Sequence, residues 1–346
     1  MTAHGRGEVQ ARASVPGELA VPAGEAAALP ARPGIAGRLG GFSWSRVGLP
    51  LVILGMAATF ALLNPNFYSP TNLRNVARQT AILAMTACGQ TMVILSGGFD
   101  LSVGMVIGLI SVAGSLVMSH LGLWPGIAAG LAMGAGVGML NGLMVAKANL
   151  PPFIATLAMF SAARGLALIL SGGLPITDLP PDYRYVGAGH LLTLPLPAVI
   201  AAAVFLGSHL LMTRTRFGRY IYAIGGSEEA ATYAGVPVAR YKIGVWSLHG
   251  LLVGAAAVIL TSRAVSGHAT LGEGAELESI AATVIGGTAL GRGRGSIGNT
   301  LLGVLAMGIL TNGLNLINVS TYYQMVAMGV IIAGAVYVDQ WRHRQR

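Results

Sequence analysis

The sequence predicts an all-α polytopic membrane protein, and three observations carry that reading. Of its 346 residues, 54% are hydrophobic and only 10% are charged. A soluble domain carries about 25% charged residues, so this chain has too little charge to coat a soluble surface of its size. Its 50 glycines are about twice the ordinary share, a composition that lets helix backbones approach closely within a bilayer. Finally, the apolar residues gather into long runs, and a spanning helix needs about 20 of them in succession.

Taken in order, the candidate spans are 48–63, 79–96, 101–119, 124–146, 152–171, 194–212, 243–262, 277–291, 299–317 and 321–338. That gives about ten transmembrane helices, with 48–63 and 277–291 the short ones. The chain ahead of them is different in kind. Within residues 1–47, "ARASVPGELAVPAGEAAALPARPGIAGRLGG" is mostly Ala, Gly and Pro with scattered Arg. It has no continuous apolar region of the signal-peptide type and is expected to be a disordered cytoplasmic tail. Residues 48–340 form the membrane domain, and 341–346 a basic cytoplasmic tail.

Charge sets the orientation. If the N-terminus lies inside and the spans alternate, the inner segments hold 16 of the 21 Lys and Arg residues. The outer loops hold Arg74, Arg78, Arg184 and Arg263, while Arg164 falls within a span. An excess of bases on the cytoplasmic side is the usual pattern, so both termini are expected inside. The same clustering argues against nucleic acid as the partner for the net charge of +9. The single cysteine, Cys88, lies in an apolar run and excludes a disulfide framework.

Enzyme chemistry finds little support. There is no G-x-x-x-x-G-K-[ST] phosphate loop, no H-E-x-x-H and no G-x-S-x-G. The seven His have no metal-ligand spacing, so no catalytic or metal-binding residue is assigned. "GRGSIG" (Gly293 to Gly298) formally matches a dinucleotide fingerprint, but it follows a span rather than a strand and is expected to be a tight inner turn.

Four polar stretches interrupt the spans. In "LSGGFDLSVG" (Leu95 to Gly104), Gly97 and Gly98 allow positive φ, and Asp100 or Ser102 can cap the next helix. A carboxylate at a broken helix can also serve an ion or proton path. Arg164, the one base well inside a span, either pairs structurally or lines a pathway. "GHATLGEGAELESIAA" (Gly267 to Ala282) is an outer loop whose Glu273 and Glu276 are either solvated or a docking face for an outside protein. Last, "GGSEEAATYAGVPVARYK" (Gly225 to Lys242) lies in the longest inner loop. Ser227 is an N-cap, Glu228 and Glu229 suit the positive end of a helix, and Gly235 with Pro237 ends it. A helix of about two turns is unstable alone and needs a neighbouring surface.

"EAATYAG" (Glu229 to Gly235) resembles the coupling-loop motif of permeases in bacterial ABC importers. "ILSGGFDLSVG", "FIATLAMFSAARGLALILSGGLPI", "YAIGGSEEAATYAGVPV", "ELESIAATVIGGTALGRGRGSIGNTLLG" and "NGLNLINVSTYYQMVAMGVIIAGAVYVD" follow in order and resemble the ribose/xylose-type sugar permeases. The resemblance implies a multi-pass permease of the bacterial inner (plasma) membrane that carries a monosaccharide or related small polar solute inward. It implies a second permease copy, two ATP-binding subunits inside that hold ATP and Mg, and an extracytoplasmic sugar-binding protein. No cofactor is expected on this chain itself. Glu229, Ala230, Ala231 and Gly235 carry over as ATPase-coupling residues. One departure is Leu174 in "SGGLPI", where family members often carry a base. The competing expectation is a stand-alone secondary transporter, for which Asp100 and Arg164 would have to supply the coupling charges.

Overall fold

Prolines and short polar residues set most of the helix starts. The computed structural model describes residues 44–344, and in that range the chain runs α1 (Trp44–Leu63), α2 (Pro70–Leu95), α3 (Val103–Leu121), α4 (Leu123–Ala146), α5 (Pro152–Ser171), α6 (Arg184–Ala188), α7 (Leu196–Arg214), α8 (Arg216–Gly226), α9 (Glu228–Tyr233), α10 (Val238–Ala264), α11 (Ala275–Ile285), α12 (Ile297–Leu316) and α13 (Thr321–Arg344). Pro70 and Pro152 occupy first turns, where a missing N–H removes no helical bond. Ser69, Thr215 and Ser296 accept backbone N–H groups at the starts of α2, α8 and α12. A small antiparallel hairpin, His190–Leu191 with Leu194–Pro195, joins α6 to α7.

Six of these helices, α3, α4, α5, α7, α10 and α12, are long and apolar enough to cross a membrane. Two shorter apolar stretches, Gly48–Leu63 and Thr321–Gly334, lie in α1 and α13. The expected span 79–96 lies in α2, which is 26 residues long but opens on the polar run from Thr71 to Gln79. The expected span 277–291 is a helix of only 11 residues, about 16 Å long at the helical rise, or half of a hydrocarbon core of about 30 Å. The tail expectation for residues 1–43 and for Gln345 and Arg346 lies outside the described residues. Trp44 to Val47 already belong to α1, and α13 continues through Arg344.

The short α11 follows from the course of the chain before it. After α10 the segment 265–274 folds back along α3. Gly267 sits against Ser111 and Ser115, Ala269 against Gly108, and Gly272 against Gly104. Ser111 Oγ accepts the His268 N–H at 3.2 Å and lies 2.8 Å from Thr261 Oγ1. The helix α11 therefore begins beside the start of α3, deep in the helical body. The sequence expectation of an outer loop over 267–282 is corrected here. Glycine makes this path available, because a Cβ at Gly104 or Gly272 would collide with the facing backbone.

The tightest packing joins α4 to α10. Glycines recur every fourth residue along α4, at Gly126, Gly130, Gly134, Gly138 and Gly142, and so share one face. Gly134 and Gly138 meet Gly250 and Gly254 of the antiparallel α10, and Gly142 meets Ile243 and Trp246. Trp246, 1% exposed, is the largest fully buried side chain among the described residues and packs among Met92, Val145, Ile221 and Ile297.

A leucine at Gly138 would overlap the Trp246 carbonyl and the Gly250 backbone, whereas Gly136 has open space around its Cα. Gly138→Leu should cost at least about 1–3 kcal/mol by overpacking and visibly lower the thermal midpoint of the detergent-purified protein. Gly136→Leu should leave that midpoint near the wild-type value. Equal midpoints for the two variants would remove the seam from this account.

Candidate functional site

The segment Gly225 to Lys242 folds from its own local signals. Ser227 Oγ accepts the Ala230 N–H at 3.2 Å and starts α9. At the far end the Gly235 N–H reaches the Thr232 carbonyl at 2.9 Å, and the Val236 N–H reaches the Ala231 carbonyl at 3.0 Å. That pair of bonds is a Schellman stop, and Gly235 supplies the positive φ it needs, +78°. The sequence placed the cap and the stop at these residues. It missed α8, whose Tyr222 hydroxyl donates to the Gly295 carbonyl at 3.1 Å; burial pushes the phenol pKa up and keeps it a donor.

Only Ala231 of α9 is buried, at 5% exposure, against the cluster that contains Ile221, Ile224 and Trp246. Glu228, Glu229, Ala230, Thr232 and Tyr233 are exposed, with Tyr233 at 84%. Lys242, in the second turn of α10, holds Glu228 in an ion pair at 2.5 Å. A six-residue helix with one buried side chain thus stands on the base of α10 and offers the rest of its surface outward.

The break between α2 and α3 is a buried polar cluster. Gly97 takes a φ of +92°, and the chain turns inward to Asp100, which is 4% exposed. Asp100 Oδ1 accepts the Ser102 N–H at 2.7 Å and the Ser102 hydroxyl at 2.6 Å. The Asn141 amide donates to Ser102 Oγ at 3.2 Å and to Asp100 Oδ2 at 3.4 Å. His249 Nε2 lies 3.3 Å from Asp100 Oδ2. Ser102 precedes α3 but makes no side-chain cap; it donates to Asp100 instead. The cluster therefore ties the α2–α3 break to α4 and to the middle of α10.

At the end of α10 away from α9, two adjoining cavities of about 420 and 380 Å³ open between α2, α10, α11, α12 and α13. Small-molecule sites span about 300–1,000 Å³. Both cavities are lined by Gln79, Glu273, Glu278 and Asn315, and the first also by Thr86 and Arg263. Among the described residues Lys242 pairs with Glu228, and His249 is the close neighbour of Asp100, so Arg263 and the two carboxylates face the space without pairing to one another.

The candidate residues of the sequence fall at separate places. Glu229, Ala230, Ala231 and Gly235 share α9. Asp100 is interior and lines neither cavity, and Arg164 lies on the exposed side of α5 and lines neither. Glu273 is exposed at both cavities. Glu276, expected on an outer docking face, is 9% exposed and turned toward Gly104 at the start of α3. Gln79, Arg263, Glu278 and Asn315 were passed over because they are far apart in sequence. The polar face of α2 at Gln79 and Thr86, seven residues apart, was the available signal.

A family described as branched-chain amino acid transport system / permease component matches residues 72–336. The chain is 46% identical over 286 residues to the ribose import permease protein RbsC of Bacillus subtilis (strain 168), covering 81% of this chain and 88% of the relative. It is 42% identical over 294 residues to the ribose import permease protein RbsC of Escherichia coli (strain K12), with coverage of 84% and 92%. To the L-arabinose transport system permease protein AraH of the same strain it is 36% identical over 304 residues, with coverage of 88% and 93%. No solved structure matches.

Replacing Asp100 with Ala removes the acceptor that Ser102 and Asn141 share and leaves buried donors unpaired, a loss of about 1–3 kcal/mol. Asp100→Asn keeps an oxygen for the Ser102 N–H and should cost less. Thermal melting of the two purified variants checks the order; an Ala variant as stable as wild type would contradict it.

Proposed function

The chain belongs to this permease family, and we propose that it is the membrane-spanning subunit through which an ATP-driven importer brings a pentose such as ribose into the cell. Its place is the membrane, as a multi-pass transport component of a sugar importer, and its sequence carries no phosphate loop of its own. The finer assignments rest on the charge pattern and on α9. Ten spans with both termini inside would combine the six long helices, α2, the apolar parts of α1 and α13, and the half-length α11 paired with its fold-back segment. With that orientation α9 lies on the cytoplasmic side and the Arg263 cavity on the outer side.

The observation that carries the coupling assignment is α9 itself. A capped helix with one buried residue has too little packing to exist for its own sake, and it stands on the first turns of the 27-residue α10. It fits a cleft on an ATP-binding subunit. Closing two such subunits on ATP would displace α9 as a rigid piece. The displacement passes along α10 to the cavity end, a shift between two arrangements, each held by its own contacts. A second permease copy, two ATP-binding subunits and an extracytoplasmic sugar-binding protein complete the assembly.

The decisive experiment reconstitutes the chain with its ATP-binding partner and the binding protein, and measures radiolabelled ribose uptake with ATP hydrolysis. Uptake should require ATP and all components. Ion-driven uptake by the chain alone would replace this reading with a secondary transporter. Gly235→Trp forces a bulky residue into the left-handed conformation at a cost of about 1–2 kcal/mol, and Glu229→Lys inverts an exposed charge. Each should lower stimulated hydrolysis several-fold with the protein still inserted. Normal stimulation in both would take the coupling role away from α9.

A further inference from the structure

Along α2, Gln79, Leu83, Thr86 and Gln90 are spaced i, i+4, i+7 and i+11 and share one face. The face starts at the mouth of the cavity, where Gln79 is half-buried, and descends to Thr86, 1% exposed, about 10 Å further along the helix. Thr86 lies on the cavity wall, and its hydroxyl donates to the Leu83 carbonyl at 3.1 Å. One turn deeper is Gln90, 0% exposed, and neither its amide nitrogen nor its carbonyl oxygen has a hydrogen-bond partner among the described residues. Unlike Gln90, its neighbour Thr91 is fully engaged: its hydroxyl meets Thr300 Oγ1 at 2.7 Å and Thr283 Oγ1 at 3.3 Å. A buried amide with both ends unpaired is unfavourable and uncommon in a folded protein.

We propose that this face of α2 is the sugar-contacting wall of the permeation path, with Gln79 and Thr86 binding the solute in the outer cavity and Gln90 receiving it as the path opens inward. The inference rests on the sugar-importer reading above and assigns the residues that reading lacks. The ligand class follows from the wall and its surroundings. Neutral hydroxyl and amide groups on α2 both donate and accept, which suits a polyhydroxylated neutral solute presenting both kinds of group. Across the cavity, Glu273, Glu278 and Asn315 add acceptors and Arg263 adds donors. Gln90 is closed off in this conformation, and its free amide is the group that sugar hydroxyls would satisfy when α2 and α10 move apart.

The test sets transport against stability. Gln90→Met conserves volume and deletes only the unpaired amide, so a purely structural view predicts no loss in melting temperature. In the reconstituted importer the variant should melt no lower than wild type and take up ribose about tenfold more slowly, the equivalent of one hydrogen bond to a bound hydroxyl. Wild-type uptake by Gln90→Met, or a fall in melting temperature that accounts for the loss, overturns the role of Gln90. A second readout needs no partner. Cys88, the single cysteine of the sequence, is 2% exposed, so in a Cys88→Ser background Gln79→Cys, at the half-buried mouth of the cavity, can be labelled selectively. A water-soluble maleimide should label it, and millimolar D-ribose should slow that labelling while L-leucine does not. Labelling indifferent to ribose overturns the wall assignment. If the wild-type importer moves no sugar at all, the importer reading falls and the wall assignment with it; normal wild-type uptake with unaffected variants sinks the wall assignment alone.

Discussion

The backbone contact between α4 and α10 is the constraint on which the rest of the molecule depends. In hydrocarbon, helices gain little from hiding apolar side chains, because lipid is as apolar as they are. Association must come from close van der Waals packing, and the glycine face of α4 supplies it by bringing Gly134 and Gly138 onto Gly250 and Gly254. Once α10 is held there, Trp246 fills the space between α2, α4 and α8, and His249 is placed against Asp100. The Asp100 cluster is affordable only in this setting. A buried carboxylate is costly unless its neighbours donate to it, and Ser102 and Asn141 do so from two different elements.

Much of this organisation was legible in the sequence, where the signal was local. The cap at Ser227, the stop at Gly235 and the break after Leu95 each depend on residues within one turn, and the structure has all three. The long apolar runs returned as helices with shifted ends, most at α2, which begins at Pro70 rather than at 79. The course of residues 265–274 was not legible. Its hydropathy resembles a surface loop, because the backbone lies against α3 through Gly267 and Gly272 rather than through apolar side chains. That one fact displaced Glu276 from the exterior to the start of α3 and shortened the helix that follows to 11 residues. Nor could the sequence gather the cavity residues, since Gln79, Arg263, Glu278 and Asn315 are joined only by tertiary packing.

The paired starts of α3 and α11 give that interior a physical character. Each helix start leaves backbone N–H groups unpaired and a partial positive charge. Here two such ends face one another, with Gly104 and Gly272 in backbone contact and the Glu276 carboxylate beside them. The carboxylate is placed where it offsets both ends. Helix starts that meet away from the protein ends are a recurring way to bring polar backbone into a transporter without exposing it to lipid, and the cavity opens directly beside this junction through Gly272 and Ala275.

The proposed coupling through α9 would use the geometry of α10. With 27 residues, α10 is about 40 Å long, and its two ends meet different surroundings. Lys242 grips Glu228 of α9 at one end, and Arg263 borders the cavity at the other. Between them the helix is pinned to α4 by glycine contacts and to the α2–α3 break by His249. A rod fixed at its middle turns a displacement at one end into an opposed displacement at the other. A push on α9 would therefore alter the spacing between α10 and α2 at the cavity, which is where Leu260 and Arg263 face Gln79 and Thr86 across the same space. Looser packing at the seam would let α10 yield instead of pivot, so the small residues that permit assembly of the bundle are also what make such a lever stiff.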